Sequence, residues 1–269
     1  SYAARVVSSW TAALAAAAGA EVVEIHAFVA PRDVCEAEAA RLLELREGDL
    51  AARFLEDAAS TNVPARLLVQ EGDPRELIGR LSEELDADLT VLGRSGEGAD
   101  AEESHVGTVA EHAAHHWPGS LAVVPTLHAG PITRIVVGVD GSPDSLAAVE
   151  WCASVAPGLD AGVVAVTVVD ADISTAGSDI EASLREWTAP LAGAAVDLEL
   201  VVSEGQRPLD ALNIALATHR GDLLVLGRRG VGGYVGLASG GVALAALQRA
   251  PVPVVLISAP SMSRAPLAS

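Results

Sequence analysis

Lysine is absent from all 269 residues, which rules out the G-x-x-x-x-G-K-[ST] phosphate loop, because its lysine carries the mechanism. Cations are scarce altogether, with 17 Lys plus Arg against 36 Asp plus Glu and a formal charge of −19. That balance excludes a broad nucleic-acid surface, which needs clustered basic side chains, so any anion binding must be local. Cys35 and Cys152 fall at unrelated positions, so neither a disulfide framework nor a zinc site is expected, and the thiols read as buried or idle. No apolar run reaches the roughly eighteen residues of a membrane helix. The alanine-rich stretch 11–20 contains Gly19 and lacks the basic flank of a signal peptide. The expectation is no membrane segment and a cytoplasmic location. No G-x-S-x-G elbow marks a nucleophile, so covalent catalysis has no support. His112, His115 and His116 have helical spacing, yet no acidic or thiol ligand stands in a matching motif, and no metal is expected.

What remains is a chain with 50% hydrophobic and 20% charged residues, long enough for one large or two ordinary α/β domains. Sliding the sequence by about 133 residues aligns Glu71-Gly72-Asp73-Pro74 with Glu204-Gly205-Gln206-Arg207 and Ala87-Asp88-Leu89 with Gly221-Asp222-Leu223. It also aligns Trp117-Pro118 with Ala250-Pro251, and at the front the offset grows to 141, matching Trp10 with Trp151. A fixed period of this size means a duplicated domain. Short apolar runs at 135–139, 163–169, 198–202, 223–226 and 252–257 alternate with helical stretches such as 142–156, where Ser142 or Asp144 can cap. That alternation predicts a parallel sheet covered on both faces, with ligands at the carboxyl ends of the strands. The first unit has runs at 22–29, 65–69, 89–92 and 121–124, and Trp10 against Trp151 places Ser1 opposite Ser142. Its leading strand is therefore not visible, and the reading adopted is that residues precede Ser1, since a sheet without its middle strand would leave buried backbone groups unpaired. Domains 1–127 and 134–258 follow, joined by a linker around Gly130-Pro131 and followed by a tail expected to be disordered.

Residues Gly227-Arg228-Arg229-Gly230, nine spacers, then Gly240-Gly241-Val242 lie between an apolar strand and a helix-like segment. Backbone N–H groups at such a helix opening point at an anion, with the helix dipole behind them. Arg228 and Arg229 supply local positive charge. This pattern, together with Ile135-Val136-Val137-Gly138-Val139-Asp140-Gly141-Ser142, resembles the universal stress protein family, whose nucleotide-binding members carry G-x2-G-x9-G-[ST] and an Asp after the first strand. The resemblance covers nearly the whole chain, twice.

It implies two tandem Rossmann-like or flavodoxin-like α/β domains, each a mainly parallel five-stranded sheet, with their last strands, 121–124 and 252–257, paired across the domains. It implies that ATP, ADP or AMP, a triphosphate with Mg²⁺, is held chiefly by the second unit. The binding residues would be Gly138 and Asp140, the backbone of Val168 or Val169 at the adenine edge, and Gly227, Arg228, Arg229, Gly230, Gly240, Gly241 and Val242 around the phosphates. Gly241 departs from the pattern, standing where Ser or Thr offers a hydroxyl. One lost hydrogen bond is worth about 0.5–1.5 kcal/mol, or about two- to tenfold in affinity.

The first unit keeps the hydroxyl at Thr108, but its ten-residue spacer holds Glu97, Asp100, Glu102 and Glu103. Each like-charge contact with a polyanion costs on the order of 1 kcal/mol in high dielectric, so this unit reads as a degenerate, structural copy. The functional expectation is nucleotide occupancy acting as a regulatory switch in a stress response, through an unidentified protein partner or a homodimer, without dedicated catalysis. The alternatives are a nucleotide-free scaffold and an enzyme of the wider adenine-nucleotide hydrolase superfamily. The latter arises because Asp140-Gly141-Ser142-Pro143-Asp144-Ser145 is distantly similar to an S-G-G-x-D-S pyrophosphate loop whose two leading positions are wrong here.

Overall fold

The computed structural model describes residues 2–29, 35, 38, 41–42, 44–45, 47–48, 50–51, 54, 63–94, 106–125, 130–169, 177–230 and 239–260. The first repeat contributes α1 (Tyr2–Ala18), β1 (Val22–Phe28), β2 (Ala65–Glu71), α2 (Pro74–Glu84), β3 (Thr90–Gly93), α3 (Thr108–His116) and β4 (Leu121–Val124). The second contributes β5 (Arg134–Gly138), α4 (Pro143–Leu159), β6 (Gly162–Val169), α5 (Gly177–Trp187), α6 (Ala189–Gly193) and β7 (Leu198–Glu204). It closes with α7 (Pro208–His219), β8 (Leu223–Gly227), α8 (Gly241–Arg249) and β9 (Val254–Ile257). Local chemistry sets these bounds. The Ser142 side chain accepts from the Ser145 N–H to cap α4, with Pro143 beside it, and Asp160 ends that helix in the left-handed region at φ 53°.

Seven strands form one sheet in the order β3-β4-β9-β8-β5-β6-β7. Every neighbouring pair is parallel except β4 and β9, which run antiparallel with Leu121 opposite Leu256 and Val123 opposite Val254. The expected joining of the two last strands is thus the seam between the repeats. The second repeat has the expected five strands. The first does not close: β1 and β2 pair with each other as a separate two-stranded sheet, while β3 and β4 extend the large one. Every residue of β1 and of β3 is only half-buried, whereas Ile135, Val136 and Val137 of β5, which lies between the equivalent strands of the second repeat, are fully buried.

The sheet has two apolar faces, and each crosses the seam. On one, Trp10 and Leu14 of α1 share a core with Val149 and Cys152 of α4, Ile135, Val137 and Leu184. On the other, Ala113 of α3 and Trp117 pack with Val136, Leu212 and Leu216 of α7 and Leu247 of α8. Successive β5 residues feed opposite faces, as the strand period of two requires. The incoming linker is caught at once, since the Asp222 carboxylate accepts from the Thr133 and Arg134 backbone N–H groups and from the Thr133 hydroxyl at 2.7–3.1 Å. The last residues of the expected tail, 261–269, lie outside the described set.

Candidate functional site

Four segments meet at the carboxyl end of the second repeat's sheet: the turn after β5, Gly227–Gly230 after β8, Ser239–Gly241 opening α8, and the chain leaving β9. Gly141 makes the first turn at φ +77°, with the Trp187 ring of α5 filling the space where a side chain would stand. The turn aims Asp140 outward and locks it, because Oδ1 accepts from the Ser142 N–H at 3.0 Å and the Ser142 hydroxyl at 2.6 Å. The Ser142 hydroxyl also lies 3.1 Å from the Arg229 carbonyl, which ties this turn to the glycine loop. Gly227 is required by packing, since a Cβ there would lie 2.5 Å from the Ser145 nitrogen at the start of α4. Gly230 is required by Asp140, because a Cβ there would clash with Asp140 Oδ2.

Between these segments lies a cleft of about 420 Å³ lined by Gly141, Ser142, Pro143, Asp144, Arg229, Gly230, Ala259 and Pro260. Asp144, read from the sequence as a mere helix cap, is a principal wall of it. Its side chain is 6% exposed. Oδ2 accepts from the Arg229 backbone N–H at 3.0 Å and from Arg229 Nε at 3.2 Å, and Oδ1 accepts from the Ala259 N–H at 2.9 Å. Opposite charges at Asp144 and Arg229, each next to a glycine-bearing turn, were a visible signal of this pairing.

Gly240 and Gly241 open α8 as expected. The Gly240 N–H is spent on the Arg228 carbonyl at 2.8 Å, and a Cβ on Gly241 would meet nothing within 4 Å. Val242 stands 39% exposed on the first turn. Val169 lends its carbonyl to the Gly205 N–H, while Val166 lends its own to Val139. By alternation, Val168 shares the side of Val166 and faces the space beyond the end of β5, where the chain turns off at Asp140.

Two sequence expectations are corrected. Of the expected binding residues, Arg229 and Gly230 alone line the cleft; for Gly138 a Cβ would lie 2.6 Å from Leu226 and 3.3 Å from Leu212 side chains, so it serves the close packing of β8 and α7 over β5. Arg228 is not local charge for a phosphate. It is 1% exposed, and its guanidinium crosses the seam to donate to the carbonyls of Gly119, Ala113 (2.7 Å) and Ala114 (3.0 Å), with Nε on the Ser239 hydroxyl at 3.0 Å. The end of α3 presents carbonyls with acceptor capacity left beyond the Trp117 N–H on Ala113 and the Ser239 hydroxyl on Ala114, and the negative pole of the helix dipole, which a cation satisfies. Burial pushes this guanidinium down to about 10, reinforced by Arg229 and opposed by Asp144, so it is still cationic at neutral pH.

Arg94, the matching residue of the first repeat, makes the reverse crossing: its Nη2 donates to the Ala250 carbonyl at the end of α8, at 2.6 Å. The two copies thus exchange arginines across the seam, and nothing in the local sequence pointed to it. The acidic spacer 95–105 and the glycine-loop spacer 231–238 lie outside the described residues. Gly107 opens α3 with no side-chain cap, next to an exposed Thr108. The His112 and His116 ring centroids lie 4.4 Å apart with the planes tilted by 36°, and among the described residues no group of three His, Cys, Asp or Glu is arranged to hold a metal.

Two stretches, 1–125 and 131–258, match the model of the universal stress protein family. The chain belongs to the universal stress protein family. It carries the family's unit twice, and in this tandem universal stress protein the second copy holds the complete strand set. A universal stress protein from Archaeoglobus fulgidus DSM 4304 shares the fold over 93% of this chain and 94% of its own, with TM-score 0.72 and 14% identity. A functionally unknown protein from Pseudomonas aeruginosa PAO1 does so over 91% and 95%, with TM-score 0.57 and 15% identity. At these identities the likeness is one of fold alone. A universal stress protein solved in complex with cAMP matches 49% of this chain and 100% of its own at 27% identity and TM-score 0.42, too low to carry anything over. No curated protein sequence matches the chain. Among the described residues, no helix is long and apolar enough to cross a membrane.

Proposed function

We propose that this universal stress protein binds an adenine nucleotide at the carboxyl end of the second repeat's sheet, and that occupancy acts as a regulatory signal in a stress response. The observation that carries the reading is convergence. The turn after β5 and the Arg229–Gly230 backbone line a cleft of about 420 Å³, Asp140 packs against Gly230 beside it, and Gly240 at the opening of α8 is bonded to the Arg228 carbonyl of the same loop, all at the strand ends where doubly wound sheets hold ligands. Asp140 would accept hydroxyl hydrogens of the ribose, the Val168 peptide would meet the base, and the opening N–H groups of α8 would hold phosphate with the dipole behind them. The chemistry is recognition, and no catalytic step is assigned to it. The compartment proposed is the cytoplasm, and the signal would pass to a protein partner or to a second copy of the chain.

Calorimetric titration of adenosine, AMP and ATP into the full chain tests this, with Asp140→Ala combined with Gly230→Ala as the control. The full chain is used because β9 of the second repeat is paired to β4 of the first. Saturable binding that disappears in the variant is the expected result. Flat titrations to about millimolar nucleotide, a ceiling of roughly 4 kcal/mol of binding, would sink the reading and leave a scaffold acting through protein contacts.

A further inference from the structure

The G-x2-G-x9-G motif is usually read as a phosphate cradle, yet here its first turn already contains an anion. The Asp144 carboxylate draws on the Arg229 backbone N–H, the Arg229 Nε–H and the Ala259 N–H, within 2.9–3.2 Å. Three N–H donors converging on one buried carboxylate are the complement that a phosphoryl oxygen would ask for. We propose that Asp144 is an internal anion occupying this position, and that it sets the ligand class of the site as adenosine or its monophosphate in preference to the triphosphate. The proposal rests on the nucleotide reading above.

The supply of positive charge points the same way. The motif's cations are Arg228 and Arg229, the spacer 231–239 contains no charged residue, and the chain has no lysine. Arg228 spends its guanidinium on carbonyls of the first repeat, and Arg229 is ion-paired with Asp144. Arg229 is half-exposed, but the Asp144 carboxylate on its Nε balances its charge, so a multiply charged ligand would meet a pair with no net charge to offer. Among the described residues, what is left for phosphate is the N-terminus of α8, a helix of nine residues, where Gly241 leaves open space. One phosphoryl group suits that capacity. Ala259 extends the consequence to the chain leaving β9: a phosphate that displaced Asp144 would also take the acceptor from the Ala259 N–H.

The test is titration of adenosine, AMP and ATP into the full chain, each with and without Mg²⁺, and into Asp144→Asn. That variant removes the charge and keeps an oxygen for the N–H donors. In the wild type, ATP should bind at least about tenfold more weakly than AMP. In Asp144→Asn, the ATP to AMP affinity ratio should shift toward ATP by about tenfold. ATP binding more tightly than AMP in the wild type, with or without Mg²⁺, would overturn the assignment while leaving the nucleotide reading standing, and an unchanged ATP to AMP ratio in a folded Asp144→Asn would do the same. No binding of any of the three removes both. If circular dichroism shows Asp144→Asn unfolded, the wild-type ratio alone decides.

Discussion

Arg228 donates to carbonyls of Ala113, Ala114 and Gly119 that lie more than a hundred residues upstream. Replacing it with Met keeps much of its volume but removes the guanidinium's bonds to them and to Ser239, leaving Ala113 with the Trp117 N–H and Ala114 with the Ser239 hydroxyl; a hydrogen bond to a charged group is worth about 1.5–3 kcal/mol. The expected loss is about 2–4 kcal/mol, read from the midpoint of urea unfolding. Arg228→Lys should recover less than half of it, because a single ammonium cannot span the fork of acceptors. Gly241 behaves in the opposite way. Its Cβ direction is open, so Gly241→Ser should fold normally and add a hydroxyl at the mouth of α8, tightening AMP by about two- to tenfold in calorimetry.

At the scale of elements, α1 of the first repeat lies against α4 of the second at Gly158, whose missing Cβ makes room for the Ala17 carbonyl. Gly158→Ala would push backbone against backbone, which no rotamer can relieve. The expected destabilisation is about 1–3 kcal/mol, seen as a lowered thermal midpoint. α2 begins at Asp73, whose Oδ1 accepts from the Arg75 N–H and whose carboxylate is paired to the Arg75 guanidinium. Those bonds, the side-chain one first, hold its carboxyl down at about 2, against an ordinary 3.8. The native state therefore binds its proton later than the unfolded chain does. The stabilisation is complete above the unfolded value and is lost as pH falls through about 2. The stability difference between wild type and Asp73→Ala should be constant from pH 7 to about 5 and shrink steadily below about 4.

For the whole molecule, neither apolar face stops at the seam. Trp10 and Leu14 belong to the same core as Val149, and Ala113 to the same core as Leu247. The two repeats should therefore unfold together in one transition with calorimetric and van't Hoff enthalpies in agreement, despite a duplicated sequence that suggests two independent domains. Two separated heat-capacity peaks would refute a shared core. With a formal charge of −19, that single transition should also move upward on raising salt from about 10 to 200 mM, as screening relieves self-repulsion.

The duplication, the strand and helix order and the glycine motif were legible because each is written locally or by repetition, whereas the pairing of the last strands was expected only from the family resemblance. Apolar runs of strand length, helix caps such as Ser142, and a constant offset of about 133 residues need no knowledge of what they pack against. The tertiary structure alone decided where the buried charges went. Arg228 and Arg229 are neighbours with the same chemistry, yet one is drawn across the seam to the end of α3 and the other is held by Asp144, 85 residues away. Gly138 and Gly230 likewise look alike in the sequence, and only the side chains above them, Leu226 for one and Asp140 for the other, assign the first to packing and the second to the cleft. A buried guanidinium or carboxylate must find partners wherever the folded backbone leaves orphan groups, and those groups are created by chain segments that meet only once the sheet has closed.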